Sequence, residues 1–91
     1  MSHRVTLTAG AARVLERLRG PVQVALRGAI LAIADQPRPA GSRKLSGQEL
    51  YRVRIRIDGV PWRVIYQVRD DERVVLITRV ARRDEGTYRR L

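Results

Sequence analysis

The stretch from residue 50 to residue 69 constrains the fold of this chain more than any other. Between residues 51 and 57, apolar side chains alternate with arginines: Tyr51, Arg52, Val53, Arg54, Ile55, Arg56 and Ile57. A period of two is typical of a strand with one buried face. Asp58-Gly59 follows, a pair that favours a two-residue hairpin turn, and residues 62–69 read as the returning strand. The pattern therefore predicts an antiparallel hairpin.

The flanking segments predict helices and two further strands. Residues 3–7 read as a short strand, and Thr8 is a suitable N-cap for a helix that runs to about Arg19. Gly20-Pro21 then ends that helix and starts a second one, which runs to about Ala34. Residues 35–47 contain the prolines, glycines and serines of a loop. The apolar run at residues 73–81 predicts a central strand that is covered on both faces.

This element order predicts an α+β fold. An N-terminal strand and an αα-hairpin pack on an antiparallel sheet that ends in a three-strand meander. With 91 residues, the chain is expected to form a single domain over residues 1–91.

Composition narrows the functions that such a domain can have. The chain has no cysteine and only one histidine, so we expect no metal site and no cofactor. No apolar stretch is long enough to cross a membrane, so a cytoplasmic location is the default expectation. The net charge is +10 and the isoelectric point is near 11.6, which favours a polyanionic partner.

The arginines of the first hairpin strand admit two interpretations. Antiparallel sheets often leave one face in water, and a solvated face carries charges. Such a face usually carries charges of both signs, however, and no acidic residue lies between Tyr51 and Ile57. Like charges on one face repel one another, and a polyanion bound across them would remove that cost. The returning strand adds Arg63, Ile65 and Gln67 to the same face if the hairpin keeps its register.

Several motifs, taken in order, resemble the RelE branch of the RelE/ParE toxin superfamily. They are KLSG at residues 44–47, LYRVRI, WRVIYQV and RVARRDEGTYR. The resemblance implies a microbial-RNase-like fold and a ribosome-dependent endoribonuclease that cuts mRNA without metal. The implied partners are the ribosome, mRNA and a cognate acidic antitoxin, which brings the pair to operator DNA.

The resemblance also assigns roles to individual residues. Those implied to be catalytic are Arg54, Arg63, Arg83 and Tyr88. Those implied to bind RNA are Lys44, Arg52, Arg56 and Arg82, with Arg82 as the alternative to Arg83. Arginine is never deprotonated in proteins, so Arg52 and Arg54 are expected to stabilise charge rather than act as bases. The proton of the attacking hydroxyl then goes to water, to a ribosomal group, or to Asp84 or Glu85.

Two other functions stay open on the sequence alone. A ParE-like member would have the same fold and would inhibit DNA gyrase by binding, without cutting anything. A basic module that binds nucleic acid or the ribosome would also carry this charge. The combination of Arg63, Arg83 and Tyr88 favours the endoribonuclease, because a pure binder needs no convergent cationic site beside an aromatic ring.

Overall fold

The structure, a computed structural model, describes residues 3–39, 42–45 and 50–82. These residues form a five-stranded sheet with two helices packed on one face. The helices are α1 (Ala9–Arg17) and α2 (Gly20–Asp35). The strands are β1 (Arg4–Leu7), β2 (Arg43–Lys44), β3 (Leu50–Ile57), β4 (Val60–Arg69) and β5 (Val74–Arg82). Their order across the sheet is β1-β5-β4-β3-β2.

The start of α1 is confirmed, and its end comes earlier than expected. The Thr8 hydroxyl accepts a hydrogen bond from the Ala11 amide at 3.2 Å, as an N-cap does. Leu18 is already extended, so α1 ends at Arg17 rather than near Arg19. The Gln23 side-chain amide donates to the carbonyls of Leu15 (2.8 Å) and Leu18 (3.0 Å). Those carbonyls belong to the helix end, where intrahelical partners run out.

The hairpin between β3 and β4 forms as the sequence predicts. Asp58 and Gly59 have φ angles of 50° and 80°, the left-handed pair of a turn that matches strand twist. Ile57 pairs directly with Val60 across that turn. Pro61, the second residue of β4, lies opposite Arg56.

The sheet is mixed, so the prediction of an antiparallel sheet is wrong for one pair of strands. β1 pairs with β5 in parallel, from Arg4 opposite Val74 to Leu7 opposite Ile77. The reason is the helical hairpin, which returns the chain to the start of β1, where the His3 amide donates to the Ala34 carbonyl at 2.9 Å. β3 therefore starts at the same end of the sheet as β1, and β5, two turns later, runs in the same direction.

Two further details differ from expectation. The segment expected to be a loop at residues 35–47 contains the two-residue strand β2, in which Arg43 pairs with Arg52. The pairing of β4 with β5 also shifts at Ile65 and Tyr66, because Ile65 lies opposite Arg79 whereas Tyr66 lies opposite Ile77. Thr78 is therefore the extra residue of a β-bulge.

The core lies between the helices and one face of the sheet. Its most enclosed side chains come from α2 and the two longest-paired strands: Leu26, Val64, Tyr66, Val68, Val75 and Ile77. β5 is an interior strand, between β1 and β4, but within the described residues the helices cover only one of its faces. Both helices pack on the core face, and Val74 and Leu76 on the other face are half-buried.

Candidate nucleic-acid interface

The face of the sheet that the helices leave open carries a cluster of arginines. We call it the arginine face and define it by six cations, Arg43, Arg52, Arg54, Arg56, Arg63 and Arg79; Arg4 and Arg69 also lie on this side of the sheet, beside Val74. The register of the hairpin places Arg54 directly opposite Arg63, so the predicted coincidence of the two strands' faces is confirmed. Arg43 lies opposite Arg52 and extends the cluster to the edge of the sheet. Among the described strand residues of this face, none is acidic.

The centre of the arginine face is a short row around Arg63. Arg54 is its neighbour on β3, and Ala81 is its neighbour on β5. Paired residues on adjacent strands have Cβ atoms about 5 Å apart, so the small side chain of Ala81 leaves room beside the Arg63 guanidinium. We call this arrangement, Arg63 with Arg54 on one side and the small Ala81 on the other, the cationic notch.

Beside that notch lies a patch that is mainly apolar. We call it the Ile65 patch, and it consists of Leu50, Ile65, Gln67 and Leu76. The register places Ile65 between Arg52 and Arg79, and Gln67 between Leu50 and Leu76. All four side chains are partly exposed, and the three apolar ones are not among the residues that pack against the core. The Arg69 Nε donates to Gln67 Oε1 at 3.0 Å, which orients the amide of Gln67.

Arg79 reaches this face because of the bulge in β5. Val75 and Ile77 face the core, and strict alternation would place residue 79 there as well. The extra residue, Thr78, reverses the alternation, so Val80 is buried and Arg79 is exposed. Two bonds of 3.2 Å hold the bulge: the Thr78 hydroxyl donates to the Ile65 carbonyl, and the Thr8 hydroxyl donates to the Thr78 carbonyl.

The structure brings together some of the predicted site residues and separates others. Arg52, Arg54, Arg56 and Arg63 share the arginine face, although Arg56 donates to the Gly59 carbonyl of its own turn at 3.2 Å. Two others lie toward the helix side of the sheet, since Lys44 pairs with Tyr51 and Arg82 pairs with the buried Trp62. The remaining predicted residues, Arg83, Asp84, Glu85 and Tyr88, lie outside the described residues.

Sequence reasoning misses two cations of this face. Arg43 lies in a segment that the sequence predicts to be a loop, and a two-residue strand has no periodicity that could reveal its orientation. Arg79 belongs to a predicted strand, but a bulge has no clear signal in an apolar run, so the sequence does not show which face it joins. Within the described ranges there is no group of three or more His, Cys, Asp or Glu residues that could hold a metal ion.

A groove of about 820 Å³ lies on the helix side, between α1 and the end of the sheet that carries the β3–β4 turn. Apolar side chains line it: Val14, Leu18, Val22, Ile57, Val60 and Trp62. Charged residues line it as well: Arg17, Arg19, Arg79 and Arg82, together with the acidic Asp58. An apolar surface with cations around it suits an acidic segment that has one apolar face.

A polar cluster closes the opposite end of the sheet. Asp70 accepts from Arg38 at 2.9 Å and lies 3.2 Å from His3 Nε2, and these two partners hold the pKa of Asp70 below its usual value. Arg38 also donates to the Tyr51 hydroxyl at 2.8 Å. Burial raises the pKa of Tyr66 to about 12, and its hydroxyl donates to the Pro37 carbonyl at 2.7 Å.

The sequence matches the model of a known family over residues 5–86: the ParE toxin of the type II toxin–antitoxin system parDE. The chain belongs to the RelE/ParE toxin superfamily. It is therefore a toxin of a type II toxin–antitoxin system. No curated protein matches this toxin.

Solved structures of RelE toxins share the fold. The E. coli RelE double mutant in the free state has a TM-score of 0.75 at 24% identity, over 92% of this chain and 86% of that one. The toxin in the intact E. coli RelBE toxin–antitoxin complex has a TM-score of 0.77 at 19% identity, over 92% of this chain and all of that one (100%). The toxin–antitoxin complex RelBE2 from Mycobacterium tuberculosis has a TM-score of 0.74 at 22% identity, over 91% of this chain and 100% of that one. The α+β fold is thereby confirmed. No helix in the described ranges of this toxin has the length and apolar character to span a membrane.

Proposed function

We propose that this toxin is a ribosome-dependent endoribonuclease that cuts mRNA. The observation that carries the proposal is the cationic notch at Arg63, with Arg54 on one side and the small Ala81 on the other. A pentacoordinate phosphate carries more negative charge than the phosphodiester from which it forms. Guanidinium groups placed to meet that extra charge stabilise the transition state more than the ground state.

The proposed reaction is an attack by the ribose 2′-hydroxyl on the adjacent phosphorus. A bond forms between the 2′-oxygen and phosphorus, and the bond from phosphorus to the 5′-oxygen of the next nucleotide breaks. Arg63 meets the non-bridging oxygens, where a guanidinium can contact two oxygens at once. Arg52 and Arg54 stabilise the developing oxyanions. The hydroxyl proton passes to water, to a ribosomal group, or to Asp84 or Glu85, and the departing 5′-oxygen takes up a proton from water.

The roles of residues beyond β5 are part of the same proposal. Arg83 adds charge to the transition state, and Tyr88 stacks on or orients the substrate. Lys44 and Arg82, which lie toward the other side of the sheet, contact RNA or ribosome at the border of the site. The reaction takes place in the cytoplasm, where mRNA is translated.

We propose a cognate acidic antitoxin as the partner that restrains this toxin. Three observations support it: the net charge of +10, the groove beside α1, and RelE neighbours that were solved as toxin–antitoxin complexes. An acidic segment with one apolar face would fill the groove. Association of this kind is fast and sensitive to salt. Through the antitoxin the pair reaches operator DNA.

A second candidate function is inhibition of DNA gyrase by binding. The match to the family model of ParE toxins favours it. In that case the arginine face contacts gyrase or its DNA, and no bond in RNA is cut.

The experiment that separates the endoribonuclease from the gyrase inhibitor measures both activities in wild-type toxin and in two variants, Arg63→Ala and Arg13→Ala. Arg13 is an exposed arginine of α1, so its replacement removes the same charge far from the notch. Wild-type toxin should cut mRNA in a translating extract and leave gyrase supercoiling unchanged. Arg63→Ala should cut about 10²–10³-fold more slowly, as expected for the loss of one positioned charge stabiliser. Arg13→Ala should cut at the wild-type rate. Intact mRNA together with lost supercoiling would establish the gyrase function instead.

A further inference from the structure

We infer that the Ile65 patch is a binding subsite for one nucleobase of single-stranded RNA, in which the Gln67 amide reads the edge of that base. This inference rests on the proposed RNA-cleaving function and names the part of the substrate that lies beside the reacting phosphate. The patch is bounded by Arg52 and Arg79 and lies next to the notch at Arg63.

The Ile65 patch places apolar side chains among cations. Leu50, Ile65 and Leu76 are half-buried on a face where neither helix packs. A ligand that covers an apolar surface removes its contact with water, which favours binding. Nucleobases have broad apolar faces, and in single-stranded RNA those faces are open for stacking.

The width and charge of the patch also suit a nucleobase. Strands in a sheet lie about 4.8 Å apart, so Arg52 on β3 and Arg79 on β5 are separated by about 10 Å with Ile65 between them. Guanidinium groups on either side can stack on the base or contact its flanking phosphates. Arg63 lies two residues from Ile65 on β4, about 7 Å away along the strand. A nucleotide whose phosphate occupies the notch thus has its base within reach of the patch.

The side chain of Gln67 is oriented to recognise the edge of a base. Its Oε1 already accepts a hydrogen bond from Arg69, so the amide presents its NH₂ group, with two donors, to a ligand. Arg69 in turn forms an ion pair with Glu72, with 3.7 Å between Arg69 Nη1 and Glu72 Oε1. Binding sites for small ligands are mostly apolar, with a few placed polar groups that give specificity. Gln67, between Leu50 and Leu76, has that position and favours a base edge that presents acceptors.

The bulge in β5 is what completes the subsite. It turns Arg79 out of the core side and next to Ile65, and the Thr78 hydroxyl holds the Ile65 carbonyl at 3.2 Å. Bulges are frequent beside functional sites, where they re-aim a side chain. The subsite therefore depends on the backbone of β5 as well as on side chains.

The test measures binding of trinucleotides to the full chain, without ribosomes. The probes are the four homo-trinucleotides and an abasic trinucleotide, all carrying 2′-O-methyl groups that block cleavage. Wild-type toxin should bind the best base-bearing probe at least about fivefold more tightly than the abasic probe, the lower end of what stacking of one base contributes.

Two substitutions at Gln67 test the edge readout. Gln67→Leu should keep the advantage over the abasic probe and lose the differences between bases. Gln67→Glu replaces donors with acceptors, so it should shift preference toward adenine and cytosine, whose exocyclic amino groups donate. Arg79→Gln should weaken all base-bearing probes more than the matched charge loss in Arg13→Gln does.

The outcomes separate this inference from the proposed function. Equal binding of abasic and base-bearing probes by wild-type toxin would overturn the subsite and leave the cleavage proposal standing. An unchanged ranking of bases in Gln67→Leu would overturn the role of the amide. Base-dependent binding, together with no cleavage in a translating extract, would support the subsite and refute the endoribonuclease.

Discussion

Replacing Arg54 with glutamine is expected to stabilise the free toxin. Arg54 is exposed and lies directly opposite Arg63, so two like charges face each other across adjacent strands. Like charges in such a pair are destabilising. Two unit charges about 6 Å apart in water repel by about 0.7 kcal/mol, and a neutral glutamine side chain would remove that repulsion.

The expected gain can be measured as a melting temperature. In a domain of this size, 1 kcal/mol shifts the melting temperature by about 4–8 °C, so Arg54→Gln should melt about 3–6 °C above wild type at low salt. At 1 M salt the screening length is about 3 Å, and the difference should shrink to less than about 1 °C. Thermal unfolding by calorimetry at both salt concentrations provides the comparison.

A matched control removes the effect of net charge alone. Arg13→Gln loses the same charge from α1, where the next turn carries Glu16 and Arg17, one charge of each sign. Its melting temperature should change by less than that of Arg54→Gln. A fall in the melting temperature of Arg54→Gln, or a rise that is equal at low and high salt, would refute the idea that charge repulsion on the arginine face destabilises the toxin.

Two further predictions concern the polar cluster at the other end of the sheet. Tyr66→Phe removes the 2.7 Å hydrogen bond to the Pro37 carbonyl, so the free energy of unfolding should fall by about 1–2 kcal/mol. Urea denaturation measures this, and an unchanged value would show that water replaces the bond. The pKa of Asp70 is lowered by Arg38 and His3, so the folded state favours the carboxylate, and the stability that it adds near neutral pH is lost as pH falls through that lowered pKa. Melting temperatures of wild type and Asp70→Asn should therefore differ at pH 7 and converge in acid, and a gap that stays constant with pH would contradict this.

Local signals in the sequence are enough to predict the arginine face of the hairpin. The alternation in residues 51–57 separates arginines from core residues, and Asp58-Gly59 sets the register that brings Arg63 beside Arg54. Both signals act over neighbouring residues, and the structure confirms both. The N-cap at Thr8 is predictable for the same reason.

Features that depend on distant residues are not predictable in this way. The pairing of Arg43 with Arg52 involves a strand of two residues, which is too short for any period. The bulge at Thr78 depends on its contacts with Ile65 and Thr8, which neighbouring residues in the sequence do not encode. Consequently the cations contributed by β2 and β5, and with them the borders of the candidate site, required the structure.

The parallel pairing of β1 with β5 has a consequence for the time at which this toxin becomes active during synthesis. β1 is the first strand of the described sheet, and its partner there, β5, follows the other strands and both helices. Contacts between such distant residues slow folding, because a long loop must close before they form. While translation has not passed Val74, the sheet lacks β5, which lies between β1 and β4, and Arg79 and Ala81 are absent from the candidate site. On the proposed function, the nascent chain lacks a complete site until synthesis of β5 is finished, which leaves an interval in which an antitoxin already present can bind the toxin as it folds.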